Sequence, residues 1–174
     1  MANKPRRCWD SDACFGFLVN QNNRAEECER VLREAEEDRC EIVVSALALA
    51  EVLYLRTDGP QKLYRESRDK IRAFFRRSYF VVVDVDRFIA EQAQELFWEY
   101  NPKVGLAPKD AIHVATALNQ NAVYLETYDT NLLRLSGKVG GDPPLMIQTP
   151  GDDLKPLAGG IESTGQRRLG PPEA

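Results

Sequence analysis

The chain has 174 residues and is 43% hydrophobic, which is enough for the core of one domain but too little for two. Its 23 basic and 27 acidic residues give a net charge of −4, which argues against a general polyanion-binding protein but leaves room for a local basic stripe. The longest apolar run, residues 42–50, is too short to span a bilayer, and no long apolar stretch follows the N-terminal basic residues. We therefore expect neither a membrane partner nor a signal peptide.

Hydrophobic periodicity predicts alternating strands and helices along the chain. In chain order they are a strand at 7–10, a helix at 22–38, a strand at 41–44, a helix at 46–55 capped by Ser45, an amphipathic helix at 62–78, a strand at 79–85, a helix at 86–100, a loop at 101–108, a helix at 109–120, a strand at 123–126, a helical turn at 131–135 and an edge strand at 145–147. This alternation predicts an α/β fold with a mainly parallel sheet. Residues 1–149 form the predicted domain, and residues 150–174, rich in Gly and Pro, a disordered tail.

The cysteines of the chain are not arranged as a metal site. They show no CxxC pair, and His113 is the only histidine. A zinc site is not expected, and reduced thiols in a cytoplasmic protein are the simplest interpretation. The four residues are Cys8, Cys14, Cys28 and Cys40.

Two aspartates, Asp10 and Asp12, interrupt the apolar stretch "CWDSDACFGFLV" where the first strand should end. A charge in such a place is costly unless it is paired, solvated or bound to a metal. Either aspartate alone is explained as a cap of a following helix. A ligand site is the competing interpretation, because ligands of doubly wound sheets gather at the carboxyl ends of the strands.

Three later carboxylates fall in comparable places. Glu51 has mostly apolar neighbours on its helix, Asp110 opens a nearly apolar helix, and Asp129 directly follows a predicted strand. Taken alone, Asp110 is explained by the helix dipole and Asp129 by an Asx-turn or an N-cap. Taken with Asp10, they favour a cluster of carboxylate oxygens, which suits Mg²⁺ or Mn²⁺. Such ions activate water and stabilise charge on a phosphate.

Four stretches together resemble the PIN-domain nucleases, and most of all the VapC-type toxins of toxin–antitoxin pairs. They are "CWDSDACFGFL", "SALALAEVL", "KDAIHVATAL" and "LETYDTNLL", in the order and spacing of that family over residues 5–148. Two positions depart from the family pattern: Asp12 stands where members often have Asn or Ser, and Asn131 where many have a further acid. The residues that match the family motifs are Asp10, Ser11, Glu51, Asp110, Thr127 and Asp129.

The resemblance implies a three-layer α/β/α sandwich and an endoribonuclease that depends on Mg²⁺ or Mn²⁺. It implies that RNA is the substrate, that an antitoxin protein is a partner and that the chain forms homodimers. The implied catalytic and metal-binding residues are Asp10, Glu51, Asp110 and Asp129, and the implied supporting residues are Ser11, Asp12 and Thr127.

The remaining basic and titratable side chains have two interpretations each. A stripe on the helix at 62–78 is either a solvated face or a track for the RNA backbone, which Arg and Lys contact most often. His113 is either a packed or supporting histidine, which we favour, or a general base. The stripe comprises Lys62, Arg65, Arg68, Arg72 and Arg76.

Two alternative functions remain open. The first is a PIN-like module that binds RNA or protein without cutting, although a metal-free carboxylate cluster would repel phosphate. The second is a phosphatase resembling the haloacid dehalogenases, in which Asp10 and Asp12 would act with Ser45 and the "GDD" at 151–153. The second assigns no role to Glu51 or to "DAIHVATAL" and ranks below the first.

Overall fold

The structure is a computed structural model that describes residues 4–19, 24–53 and 65–155. Five strands and seven helices follow one another in these ranges, and none of the helices has both the length and the apolar character that crossing a membrane requires. In chain order they are β1 (Arg6–Trp9), α1 (Ser11–Val19), α2 (Arg24–Glu36), β2 (Glu41–Ser45), α3 (Ala46–Glu51), α4 (Arg65–Phe75), β3 (Phe80–Val83), α5 (Arg87–Val104), α6 (Pro108–Asn119), β4 (Tyr124–Glu126), α7 (Thr130–Leu133) and β5 (Met146–Gln148).

The five strands form one sheet in the order β3-β2-β1-β4-β5, and every neighbouring pair is parallel. The predicted α/β fold with a mainly parallel sheet is therefore confirmed. From β1 the chain first moves outward through β2 and β3, and then returns to place β4 and β5 on the other side. The strand order thus reverses between β1 and β4, and such a switch point is where open α/β sheets bind ligands, beyond the carboxyl ends of the strands.

Successive side chains of a strand point to opposite faces of the sheet and pack into two separate cores. Cys8 and Val43 point into one core, which α5, α6 and α7 cover, while Trp9 and Val44 point into the other, which α1 to α4 cover. Because both faces of the parallel sheet are buried, its strands are apolar on both sides. The result is the three-layer α/β/α sandwich that the resemblance implied.

Four helices differ from the sequence-based prediction. Helix α3, predicted over 46–55, ends at Glu51, and α4, predicted to continue to residue 78, ends at Phe75. Helix α1 was not predicted, because its residues are apolar on almost all sides and give no helical stripe. Helix α5 continues through residues 101–104, which were predicted as loop and include Pro102. A proline in the last turn removes few helical hydrogen bonds, and the helix ends instead at Gly105, whose φ of 76° places it in the left-handed region.

Residues 150–155, which the composition places in the tail, pack against the sheet. Asp152–Leu154 form a short 3-10 helix, and Asp153 forms an ion pair with the buried Arg7. Glu126, which is fully buried, accepts hydrogen bonds from Arg7 at 2.6 Å and from the backbone N–H of Gly151 at 3.0 Å. The chain is therefore anchored to β1 and β4 as far as Asp153, and the predicted tail beyond Lys155 lies outside the described residues.

Candidate functional site

The carboxyl ends of β1, β2 and β4 bring together most of the predicted site residues. Asp10 directly follows β1, Glu51 ends the helix that follows β2, and Asp129 comes three residues after β4. Asp110 arrives from another direction, in the first turn of α6. Helix α6 packs against both β1 and β2, which carries its first turn to the same edge of the sheet.

Asp10 is almost completely buried, with 3% of its surface exposed. Its Oδ1 accepts a hydrogen bond from the backbone N–H of Ala13 at 2.9 Å, and its Oδ2 accepts one from the hydroxyl of Thr127. Burial raises the pKa of Asp10 to about 7, although His113 and Thr127 act in the opposite direction. Asp10 therefore caps α1, as the simpler interpretation proposed, and is at the same time a poorly solvated carboxylate.

Glu51 and His113 form the central pair of the site. The Nε2 of His113 lies 2.9 Å from Oε2 of Glu51, and the histidine is 1% exposed. The hydrogen bond with His113 is the main reason why the pKa of Glu51 falls to about 2. The Nδ1 of His113 is buried without a hydrogen-bond partner. Glu51 is thus held in its ionised form by a histidine that packs inside the domain.

The pKa of Asp110 depends on the charged side chains around it. Burial raises the pKa of Asp110, and the charges of Asp129 and Glu51 raise it further, while Lys109 and His113 lower it. The ammonium of Lys109 lies 3.8 Å from Oδ1 of Asp110 and 3.3 Å from Oε1 of Glu51. The structure therefore places Asp110 and Glu51 on either side of one ammonium group.

Asp129 is the N-cap of α7, as the simpler interpretation of this residue proposed. Its Oδ1 accepts hydrogen bonds from the backbone N–H groups of Asn131 at 2.7 Å and Leu132 at 3.0 Å. The hydroxyl of Thr127 accepts a hydrogen bond from the backbone N–H of Asp129 while it donates to Asp10. Thr127 thereby couples the segment after β4 to the carboxylate after β1.

The supporting residues occupy the same edge. Ser11 is buried and its hydroxyl contributes to the low pKa of Glu51, while Asp12 in the first turn of α1 adds to the raised pKa of Asp10. Sequence reasoning missed Lys109. The signal was available, because a lysine in the first turn of a helix is unfavourable next to the positive end of the helix dipole. Its presence there indicates that nearby acids compensate for this cost.

The donor set fits a hard divalent cation in its chemistry. Burial raises the pKa values of Asp10 and Asp110, and a divalent cation bound beside them would favour their charged forms. In the described ranges, however, no group of three or more His, Cys, Asp or Glu side chains is arranged closely enough to hold a metal ion. Lys109 and His113 contact the two carboxylate oxygens of Glu51.

The basic stripe on α4 is only partly described. Arg68, Arg72 and Arg76 are exposed, and Arg68 lies 3.6 Å from its neighbour Asp69. The side chain of Arg65 and all of Lys62 lie outside the described residues. A role of this stripe in binding RNA stays a prediction.

Known structures resemble this fold at low sequence identity. VapBC2 from Rickettsia felis, bound to a DNA fragment from its promoter, gives a TM-score of 0.57 at 17% identity, over 82% of this chain and 98% of that chain. DNA-bound VapBC from Salmonella typhimurium matches with a TM-score of 0.58 at 16% identity, also over 82% of this chain and 98% of that chain. The Mycobacterium tuberculosis toxin VapC20, which cleaves the sarcin–ricin loop, gives 0.56 at 15% identity over 71% of this chain and 90% of that chain.

Two comparisons used the sequence, one with curated proteins and one with family models, and only the second found a match. No curated protein sequence matches the chain. The family model of the PIN domain matches residues 8–138, a range that runs from β1 past α7 and includes all four candidate acids. The chain therefore belongs to the PIN domain family.

Proposed function

We propose that the chain hydrolyses phosphodiester bonds of RNA with the help of Mg²⁺ or Mn²⁺, and that it is the toxin of a toxin–antitoxin pair. The observation that carries the proposal is that Asp10, Glu51 and Asp129 follow the carboxyl ends of β1, β2 and β4, while Lys109 links Asp110 to Glu51. Membership of the PIN domain family and the fold shared with VapC20, a toxin that cleaves RNA, support it.

The four acids would hold one or two cations. Neighbouring side chains set the charge of Glu51 and the positions of Asp10 and Asp129. The hydrogen bond with His113 lowers the pKa of Glu51 to about 2, so Glu51 stays ionised even in mildly acidic solution. Thr127 fixes Oδ2 of Asp10 and holds the backbone of Asp129, so two candidate ligands keep a fixed relation. A divalent cation bound here would supply an activated water and offset negative charge on the phosphate.

The alternatives receive less support. In the phosphatase interpretation Asp152 and Asp153 should approach Asp10, but Asp153 is bound to Arg7 in the first half of β1. A silent binding module remains the second candidate, favoured by the engagement of both oxygens of Glu51 with Lys109 and His113. Cleavage of RNA with added metal distinguishes the two.

We also propose a protein partner, a homodimer and a cytoplasmic location. Exposed apolar side chains at the β3 edge and the start of α5, namely Val82, Val85 and Phe88, support a contact with protein. The Rickettsia and Salmonella structures are VapBC complexes, which makes an antitoxin the expected partner. Light scattering tests the dimer: a mass of two chains is expected, and a strict monomer at high concentration would contradict it.

The direct test of the chemistry is a cleavage assay on mixed cellular RNA with and without Mn²⁺. The parent should cleave only with metal, whereas Asp10→Asn and Asp110→Asn should lose at least a hundredfold in rate. The matched control is Asp152→Asn, since Asp152 is 52% exposed and pairs with the nearby Lys155. Cleavage by Asp10→Asn at the parent's rate would refute the metal-dependent mechanism.

A further inference from the structure

Lys109 sits at an unusual place for a cationic side chain. It is the second residue of α6, directly after Pro108, where the partial positive charge of the helix N-terminus disfavours a lysine. Its ammonium is 3.3 Å from Oε1 of Glu51 and 3.8 Å from Oδ1 of Asp110. Two carboxylates on different helices therefore converge on one ammonium group, and their attraction outweighs the unfavourable helix dipole.

This arrangement places the ammonium between two of the four candidate metal ligands. The second oxygen of Glu51 is already bonded to His113, so Lys109 occupies the oxygen that remains. A cation that takes both Glu51 and Asp110 as ligands would stand within a few ångströms of the ammonium and repel it. Since the lysine side chain is 58% exposed and flexible, it is free to swing into solvent.

We propose that Lys109 is a built-in counter-ion of the metal-free site, which a divalent cation must displace in order to bind Glu51 and Asp110. The lysine thereby weakens the affinity of the site for divalent metal. It also stabilises the metal-free protein, because it separates carboxylates that would otherwise repel one another. This inference rests on the proposed function, since it concerns the same site.

The experiment is a calorimetric titration of the metal-free full chain with Mn²⁺, in the absence of RNA. Lys109→Met keeps the aliphatic length of the side chain but removes its charge, and it should bind Mn²⁺ about tenfold more tightly than the parent. Lys109→Arg keeps the charge and should bind as the parent does. The control is Lys103→Met, because Lys103 is 59% exposed and forms a comparable pair with Glu99 at 3.2 Å, and it should not change the affinity.

Melting curves provide a second readout. Without metal, Lys109→Met should melt at a lower temperature than the parent, and its rise in melting temperature on adding Mn²⁺ should be larger. Equal or weaker Mn²⁺ binding by Lys109→Met, beside a parent that binds Mn²⁺, overturns the inference and leaves the proposed function standing. A parent that binds no Mn²⁺ at any concentration tested overturns the proposed function itself and this inference with it.

Discussion

Replacing Asp10 by Asn should stabilise the metal-free protein at alkaline pH, although it removes a predicted catalytic group. Burial raises the pKa of Asp10 from 3.8 to about 7, so the fold favours the protonated carboxyl. A raised pKa of an acid has no effect on stability below the unfolded value, begins to destabilise as pH rises above about 4, and has its full effect above about 7. The neutral amide of Asn escapes this penalty.

The size of the effect follows from the shift and from the lost hydrogen bond. At about 1.4 kcal/mol per pKa unit, a shift of about 3 units destabilises the parent by about 4 kcal/mol at pH 8. Asn keeps the oxygen that accepts from Ala13, but it turns its amide NH₂ group toward the hydroxyl of Thr127 and cannot accept the hydrogen bond that this hydroxyl donates. This loss costs about 1–2 kcal/mol. The net gain is about 2–3 kcal/mol at pH 8 and about zero at pH 5, or about 4–12 °C in melting temperature at pH 8.

The assay is thermal melting of the parent and of Asp10→Asn in the presence of EDTA at pH 5 and at pH 8. The variant should melt higher than the parent only at pH 8, and added Mn²⁺ should reduce or reverse the difference, because it stabilises the parent alone. Asp152→Asn, at an exposed site, should not differ from the parent at either pH. If Asp10→Asn is less stable than the parent by the same amount at both pH values, Asp10 is only a helix cap, and its ionised form does not destabilise the fold.

The other predictions concern the neighbours of the site and the anchored end of the chain. His113→Gln should weaken the hydrogen bond that keeps the pKa of Glu51 low, so RNA cleavage should fall more at pH 5 than at pH 8, and an unchanged pH profile would contradict this role. Asp129→Asn keeps an oxygen for the cap and should preserve the melting temperature while cleavage is lost, whereas Asp129→Ala should also lose about 1 kcal/mol of stability. Asp153→Asn should lose about 1–2 kcal/mol at pH 7, because it breaks the pair with Arg7. Burial raises the pKa of Asp153, but the hydrogen bonds from Arg7 and Gln148 and the charge of Arg7 together outweigh burial. The net shift of the pKa is downward, so this stabilisation should disappear as pH falls through the folded pKa. Deleting residues 156–174 should leave the melting temperature unchanged, whereas deletion from residue 151 should lower it.

The fold was readable from the sequence where apolar residues follow a clear period. The β-branched runs of β2 and β3 and the amphipathic stripes of α2 and α5 predicted their elements within a few residues. Helix α1 was missed because a helix that is buried on most sides shows no stripe. The end of α5 was also missed: residues 101–104 were predicted as loop, but they are helical, because Pro102 in the last turn removes few hydrogen bonds.

The site was readable in its acids but not in their partners. Position at strand ends and on apolar helix faces identified the carboxylates, and two of them, Asp10 and Asp129, proved to be helix caps as well. The bonds of Lys109 and His113 to Glu51 join residues far apart in sequence, and no spacing rule specifies such pairs. The same holds for Asp153, which composition assigned to the tail and which instead binds Arg7.

The most direct test of the proposed mechanism is a crystal structure of the full chain grown with Mn²⁺ and measured at the manganese absorption edge. We expect an anomalous peak beyond the carboxyl ends of β1 and β4, within about 2.0–2.4 Å of oxygens from at least two of Asp10, Glu51, Asp110 and Asp129. We also expect that the ammonium of Lys109 has left Glu51. A protein that crystallises in saturating Mn²⁺ with no peak among these carboxylates, and with Lys109 still bound to Glu51, would contradict the proposed mechanism.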